Sequence, residues 1–224
     1  MRHVAAWSLL ALLTVAVAGR VHGQELKTED QKTFYALGIA LSQNLAVWNL
    51  SEAELEAVKI GLTDGVLNRE RKVDLTTYGP KLQQLQQSRL AAAAAGEKKA
   101  SQAFLEKAAA EKGATKTASG AIVTPITPGS GPSPTASDKV KVHYTGTLVD
   151  GTVFDSSAQR GQPATLNLGA VIKCWAEGIP LMKVGGKSRL VCPSAVAYGD
   201  RGYPPRIKPG ATLVFEVELL EIVK

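Results

Sequence analysis

The chain has 224 residues, 45% of them apolar and 5% aromatic, and a formal net charge of +6. That length admits one large domain or two modest ones, and the apolar share excludes a disordered polar chain. No collagen period, propeller repeat or solenoid repeat is present, so the fold is not built by repetition.

The first residues stand apart from everything after them. Arg2 and His3 precede an apolar stretch from Val4 to Ala18, and Ala16, Ala18 or Gly23 offers the small side chain that signal peptidase needs. At about 15 residues the stretch falls short of the ~20 that span a bilayer, so residues 1–23 read as a cleaved secretory signal. An uncleaved membrane anchor is the alternative, and the cut falls after Ala18 or after Gly23. Export with no membrane insertion after cleavage is the expectation.

Residues from Lys27 to about Lys112 read as helical. Phe34, Leu37, Leu41 and Leu45 make one apolar stripe. Ser51 with Glu54 is a capping-box signature, after which Leu55, Val58, Leu62 and Val66 recur at helical spacing until Asn68 closes the run. A third run follows Pro80, through Leu82, Leu85, Leu90, the alanines 91–95, Phe104 and Leu105, with Gly113 as its stop. Continuous from Tyr78 to Lys112, it would be about 52 Å long at ~1.5 Å per residue. Two short helices cannot cover a helix of that length, so the spacing predicts a homodimer through residues 24–110, with the long helix as an arm. A monomeric three-helix bundle is the alternative, and Gly96 is where the arm could bend.

Between Gly113 and Asp138 glycine and proline crowd the chain, and a second domain begins. Val140, Val142 and Tyr144 alternate with Lys139, Lys141 and His143, and Asp150-Gly151 supplies a hairpin turn. Leu213, Phe215, Val217 and Leu219 alternate in the same way with Glu216 and Glu218, and Val171 to Glu177 reads as one short helix stopped by Gly178. The expected class is α+β: an N-terminal all-α dimerisation domain with a long linking helix (24–113), then an antiparallel sheet wrapped on one short helix (114–224).

Charge and cysteine usage narrow the chemistry. Acids and bases balance over residues 24–113, while bases exceed acids over 114–224, scattered without stacking aromatics, so no nucleic-acid role is expected. Cys174 and Cys192 are either one disulfide of an exported protein or two small buried thiols; the sequence leaves both open. His143 is the only histidine beyond the signal region and sits among lysines, which argues against a hydrolytic triad. No zinc spacing, paired carboxylates or phosphate loop is found, so neither a metal nor a cofactor is expected. The remaining pattern, apolar and aromatic residues with few polar ones, is that of a core or a binding pocket.

The segment Val140-Lys141-Val142-His143-Tyr144-Thr145-Gly146-Thr147-Leu148, followed by Asp150-Gly151-Thr152-Val153-Phe154-Asp155-Ser156-Ser157, resembles the opening of FK506-binding-protein (FKBP) type prolyl isomerases. Val171-Ile172 with Trp175, Ala197-Tyr198-Gly199 with Gly202 and Pro204, and Ala211 to Leu220 resemble three further stretches of that family, in order and spacing. Tyr35-Ala36-Leu37-Gly38, the region Leu82 to Gln87, and Ala103-Phe104-Leu105-Glu106 are similar, more loosely, to the helical domain of the macrophage-infectivity-potentiator branch. That branch forms V-shaped homodimers and works in the periplasm or at the bacterial outer surface.

The resemblance implies a peptidyl-prolyl cis-trans isomerase acting on proline-containing unfolded or partly folded polypeptides, with a non-enzymatic holding chaperone as the alternative. By position, Tyr144, Phe154, Asp155 and Tyr198 would be catalytic, with Tyr198 donating its hydroxyl and Ile172 its amide to the substrate. Trp175 would floor the pocket, with Val171, Ile172, Phe215, Ile207, Leu166 and Tyr203 also binding substrate, and Asp155 would pair with Arg160. Macrolide inhibitors would occupy the same pocket. Leu166 stands where the family usually has an aromatic, Tyr203 where a histidine or apolar residue is frequent, Arg206 where an aliphatic one is common, and Lys173-Cys174 precede the tryptophan in place of the usual pair. Weaker macrolide affinity and an altered preference before proline are the implied consequences.

Overall fold

The computed structural model describes residues 25–223; the expected signal segment, residues 1–23, lies outside them. Packing divides the chain into two compact units, one ending at Ile39 and one starting at Ala40. The first unit contributes the opening turns of α1 (Glu29–Leu45). Thr28 starts that helix, its hydroxyl accepting from the Gln31 amide at 3.1 Å. The stripe of Phe34 and Leu37 is helical as its spacing predicts, yet both side chains are exposed, Phe34 by 70%.

The second unit begins with the last turns of α1 and continues through α2 (Glu52–Val66) and α3 (Leu75–Ala109). The capping box at the start of α2 forms: the Glu54 amide donates to the Ser51 hydroxyl at 3.4 Å, and the Ser51 amide to the Glu54 carboxylate at 2.9 Å. Asn68 ends the run at φ 50°, in the left-handed region that asparagine tolerates. Arg89 on α3 donates to the Trp48 carbonyl at 2.7 Å and pairs with Glu54, which ties the helices together. Arg89 and then the Ser51 amide hold the Glu54 carboxyl down to about 2.

The long helix has 35 residues but starts three earlier than its apolar pattern predicts and stops at Ala109. The reason for the early start is Asp74, whose carboxylate accepts from the Thr76 amide at 3.0 Å and caps the helix ahead of Pro80. Pro80 therefore lies inside the helix, where it removes one backbone donor. The helix runs unbroken through Gly96. Among the described residues no helix is both long and apolar enough to cross a membrane.

Seven strands follow: β1 (Thr115–Lys116), β2 (Ile122–Thr127), β3 (Lys139–Leu148), β4 (Val153–Ser156), β5 (Ala164–Asn167), β6 (Lys187–Cys192) and β7 (Leu213–Val223). They form one antiparallel sheet in the order β1-β2-β6-β7-β3-β4, with β5 also paired to β3. The predicted alternation holds: Val140 and Val142 of β3 and Leu213, Phe215, Val217 and Leu219 of β7 are buried on the inner face, while Glu216 and Glu218 point outward.

The short helix α4 (Lys173–Gly178) packs its Cys174 and Trp175 into that inner face. It begins two residues later than the sequence predicts, because Val171 and Ile172 are extended, and Ile172 at ψ 148° is its N-cap. Cys174 and Cys192 are bridged, Cα atoms 5.6 Å apart, which fastens α4 to β6. On the outer face of the sheet, Phe104, Leu105 and Ala108 of α3 cover Ile122 and Val191, and Glu111 pairs with Arg189.

The long segment before β7 folds back on itself and touches α3. The Gly210 amide donates to the Gly199 carbonyl at 3.1 Å, and Asp200 pairs with Lys98 of α3. Gly210 has φ 75°, and a Cβ there would lie 2.6 Å from the Ala94 Cα, so only glycine lets this segment lie against the helix.

The disulfide closes a short loop, 18 residues in separation, and in the chain-entropy view such a link stabilises by about 3 kcal/mol. Reduction should therefore lower the denaturant midpoint of unfolding, and Cys174→Ser with Cys192→Ser should show the same loss without added reductant. An unchanged midpoint in both would contradict this.

Candidate active site

The strands and α4 surround a cavity of about 350 Å3 on the inner face of the sheet. Its position follows from side-chain alternation: β3 sends Tyr144 inward, β7 sends Phe215, β4 sends Phe154, and α4 raises Trp175 from below. Tyr144 meets Trp175 edge to face, centroids 5.0 Å apart at 86°, and Trp175 meets Phe215 at 5.1 Å and 84°. Phe154 meets Phe215 at 5.6 Å and 87°. Such T-shaped contacts satisfy the ring quadrupoles and add to area burial.

Gly146 makes that closeness geometrically available. It faces Phe215 across β7 and Asp155 across β4. A Cβ at Gly146 would lie 2.7 Å from Phe154 Cζ and 2.8 Å from Phe215 Cε1, inside van der Waals contact.

Nine of the residues expected at the site line this cavity: Tyr144, Phe154, Asp155, Leu166, Val171, Ile172, Trp175, Tyr198 and Phe215. Ala170 joins them and was not foreseen. Two expected residues do not line it. Ile207 is 3% exposed and packs in the core behind the loop, and Tyr203 is 60% exposed and lies beside Tyr198, ring centroids 5.9 Å apart. An isolated antiparallel bridge between Tyr203 and Ile207 closes the loop on itself. In the sequence Gly146 stands only as part of a motif; its supporting part follows from strand register, which no local spacing encodes.

Polar groups are few and sit at the rim. The Tyr144 hydroxyl donates to Asp155 Oδ2 at 2.5 Å, Arg160 donates to the Tyr144 hydroxyl at 2.8 Å, and Arg160 pairs with Asp155 as expected. The guanidinium also lies 5.5 Å over the Tyr144 ring. Partial burial acts to raise the Asp155 carboxyl, but the hydrogen bonds from Tyr144 and Arg160, with the Arg160 charge, outweigh it and hold the group below its ordinary 3.8. Burial, then the neighbouring Asp155, pushes the Tyr144 hydroxyl up, and burial does the same to Tyr198, so both stay protonated donors at neutral pH. The Tyr198 hydroxyl makes no hydrogen bond among the described residues. The Ile172 carbonyl accepts from the Trp175 and Ala176 amides at 2.9 and 3.1 Å, while the Ile172 amide precedes the helix and stays outside its ladder. Among the described residues, the Tyr198 hydroxyl, the Ile172 amide and the buried Trp175 Nε1 are donors without a partner beside this floor of rings.

Comparison with known proteins gives a consistent match. The profile of the family described as FKBP-type peptidyl-prolyl cis-trans isomerase matches residues 131–220, and that of the domain amino terminal to FKBP-type peptidyl-prolyl isomerase matches residues 30–122. The chain is 38% identical over 204 residues to the FKBP-type 22 kDa peptidyl-prolyl cis-trans isomerase of Escherichia coli, covering 88% of this chain and 97% of the relative. It is 38% identical over 214 residues to the isomerase FkpA of Aeromonas hydrophila, covering 89% and 79%. The crystal structure of FkpA from Escherichia coli superposes with a TM-score of 0.64 at 35% identity, covering 88% of this chain and 98% of that one.

The Asp155 carboxyl has a definite pH signature. Because its folded value is depressed, the stability it contributes is present above 3.8 and is lost as pH falls through the folded value. Arg160→Gln should raise the carboxyl midpoint read by carbon NMR. It should destabilise the protein more at neutral pH than at a pH where Asp155 is protonated in both proteins, since only the contacts to Tyr144 are then lost. A midpoint unmoved by Arg160→Gln would contradict the assignment of the cause.

Proposed function

The chain belongs to the FKBP-type peptidyl-prolyl cis-trans isomerase family, and from that premise we propose that it is an exported, homodimeric folding assistant whose prolyl site is the aromatic cavity. It is an enzyme that accelerates cis/trans exchange of X-Pro bonds. Trans is favoured before proline by only about 0.5–1 kcal/mol, but the barrier of about 18–20 kcal/mol makes uncatalysed exchange slow enough to limit folding. No covalent bond breaks.

In this reading the proline ring rests on Trp175 between Tyr144, Phe154 and Phe215. The Tyr198 hydroxyl and the Ile172 amide donate to substrate carbonyls and fix the amide's orientation. A twisted amide has lost its resonance and is less polar than either planar form, so a dry apolar hollow favours it over both ground states. The observation that carries the reading is the pairing of three edge-to-face ring contacts with an unengaged Tyr198 hydroxyl at the cavity's edge. Asp155, held by Arg160 and Tyr144, keeps the rim polar without entering the floor.

Residues 24–113 act as the dimerisation domain and residues 114–224 as the isomerase domain. Support for dimerisation comes from apolar side chains left in water, among them Leu62 and Val66 of α2, and from an apolar hollow of about 340 Å3 between Trp48, Val58, Leu82 and Leu85. Export into the periplasm or to the outer surface is supported by the sequence of residues 1–23 and the disulfide. The same exposed apolar surface favours a second reading beside the first, in which the helical part holds unfolded chains.

A protease-coupled assay on a short Leu-Pro peptide, run beside an aggregation-suppression assay, tests both. Tyr198→Phe should lower kcat/KM by roughly ten-fold, the worth of one hydrogen bond, and spare aggregation suppression. Leu62→Glu with Val66→Glu should sediment as a monomer and lose aggregation suppression while still turning over the short peptide. A wild-type protein that accelerates no proline peptide would overturn the enzymatic assignment, and a monomeric wild type would overturn the dimer.

A further inference from the structure

A second cleft adjoins the aromatic cavity, and nothing above assigns it an occupant. It holds about 480 Å3, shares Phe154 and Asp155 with the cavity, and is bounded by Arg160 on one side and by Pro205 and Arg206 on the other. A peptide whose proline lies in the cavity continues in both directions at about 3.3–3.6 Å per residue, so a near neighbour that runs over Phe154 and Asp155 reaches this cleft. The cleft is large enough for a long side chain.

Its charge is the informative feature. One carboxylate, Asp155, lines it, and it is already opposed. Asp155 is paired with Arg160 and accepts from Tyr144. Asp150, in the turn before the lining residue Thr152, accepts from the Thr152 amide at 2.9 Å; Thr152's donors hold its carboxyl low, with the Lys208 charge adding to the effect, so it too is engaged. Arg206 is different. Its amide donates to the Tyr203 carbonyl at 3.1 Å, which fixes the backbone, while its guanidinium has no ion pair and no hydrogen bond among the described residues. An exposed cation therefore lines a cleft whose own acid is spent, and an aliphatic side chain at 206 would leave that wall neutral.

We propose that Arg206 is a specificity-determining residue, and that the cleft receives an acidic side chain, Asp or Glu, carried within two residues of the isomerised proline. The inference rests on the isomerase reading of the neighbouring cavity. Substrates with an acidic residue beside the proline are turned over faster than those with a basic one. The guanidinium's five donors suit a carboxylate, and the pair remains partly solvated, which keeps the gain modest and sensitive to salt.

Three series of proline peptides, carrying Glu, Lys or a neutral residue at each position within two residues of proline, test this in full-length protein. The readout is the ratio of kcat/KM for the Glu peptide to that for the Lys peptide within each enzyme, so a general loss of activity cancels. Wild type should prefer Glu by roughly three-fold at low salt, and the ratio should fall toward one at ~0.5 M salt. Arg206→Gln should bring the ratio to one at low salt, and Arg206→Glu should invert it; should the charge reversal fail to fold, Arg206→Gln alone decides. A wild-type ratio of one or below, or a ratio unmoved by Arg206→Gln, overturns the proposal while turnover of the neutral peptide leaves the isomerase reading standing. Failure to accelerate even the neutral peptide overturns that reading and this inference with it.

Discussion

The structure turns on the absence of one side chain. Gly146 lies near the C-terminal end of β3, opposite Phe215 on β7, and the rings of Phe154 and Phe215 close over it at a distance that any Cβ would prevent. From that contact the other features follow. Phe215 is free to meet Trp175 and Phe154 at right angles, Trp175 in turn supports Tyr144, and the space left between them becomes a hollow rather than a filled core. Close packing normally removes such spaces, so a persistent one surrounded by rigid rings is a structural commitment.

The surrounding elements hold this geometry in place from several sides. The disulfide fastens α4, and with it Trp175, to β6. The segment carrying Tyr198 is held to α3 by Gly210 against Ala94 and by Asp200 with Lys98. Arg160 clamps Asp155 and Tyr144 at the rim, so the charged groups stay at the edge and the floor stays apolar. That separation suits a reaction with no proton to move: in the proposed reading the rings lower the cost of a twisted amide, and the rim settles which polypeptides approach.

Much of this was legible in the sequence because it rests on local periodicity. The alternation of Val140, Val142 and Tyr144 and of Leu213, Phe215 and Val217 specifies two strands and their inner face, and Ser51 with Glu54 marks the start of α2. Boundaries were less legible, since Asp74 caps α3 ahead of its apolar run and the extended Val171 and Ile172 delay α4. What depends on tertiary register was not legible at all. The 5.6 Å approach of Cys174 and Cys192, the outward turn of Tyr203 with Ile207 buried behind it, and the supporting part of Gly146 are set by which strands pair and where the loop folds.

The most direct test of this account is Gly146→Ala. Its added methyl must displace Phe154 or Phe215, so the account predicts a protein with native circular dichroism and a cooperative unfolding transition whose kcat/KM on a neutral Leu-Pro peptide falls by about ten-fold or more. A folded Gly146→Ala protein with full isomerase activity would contradict it.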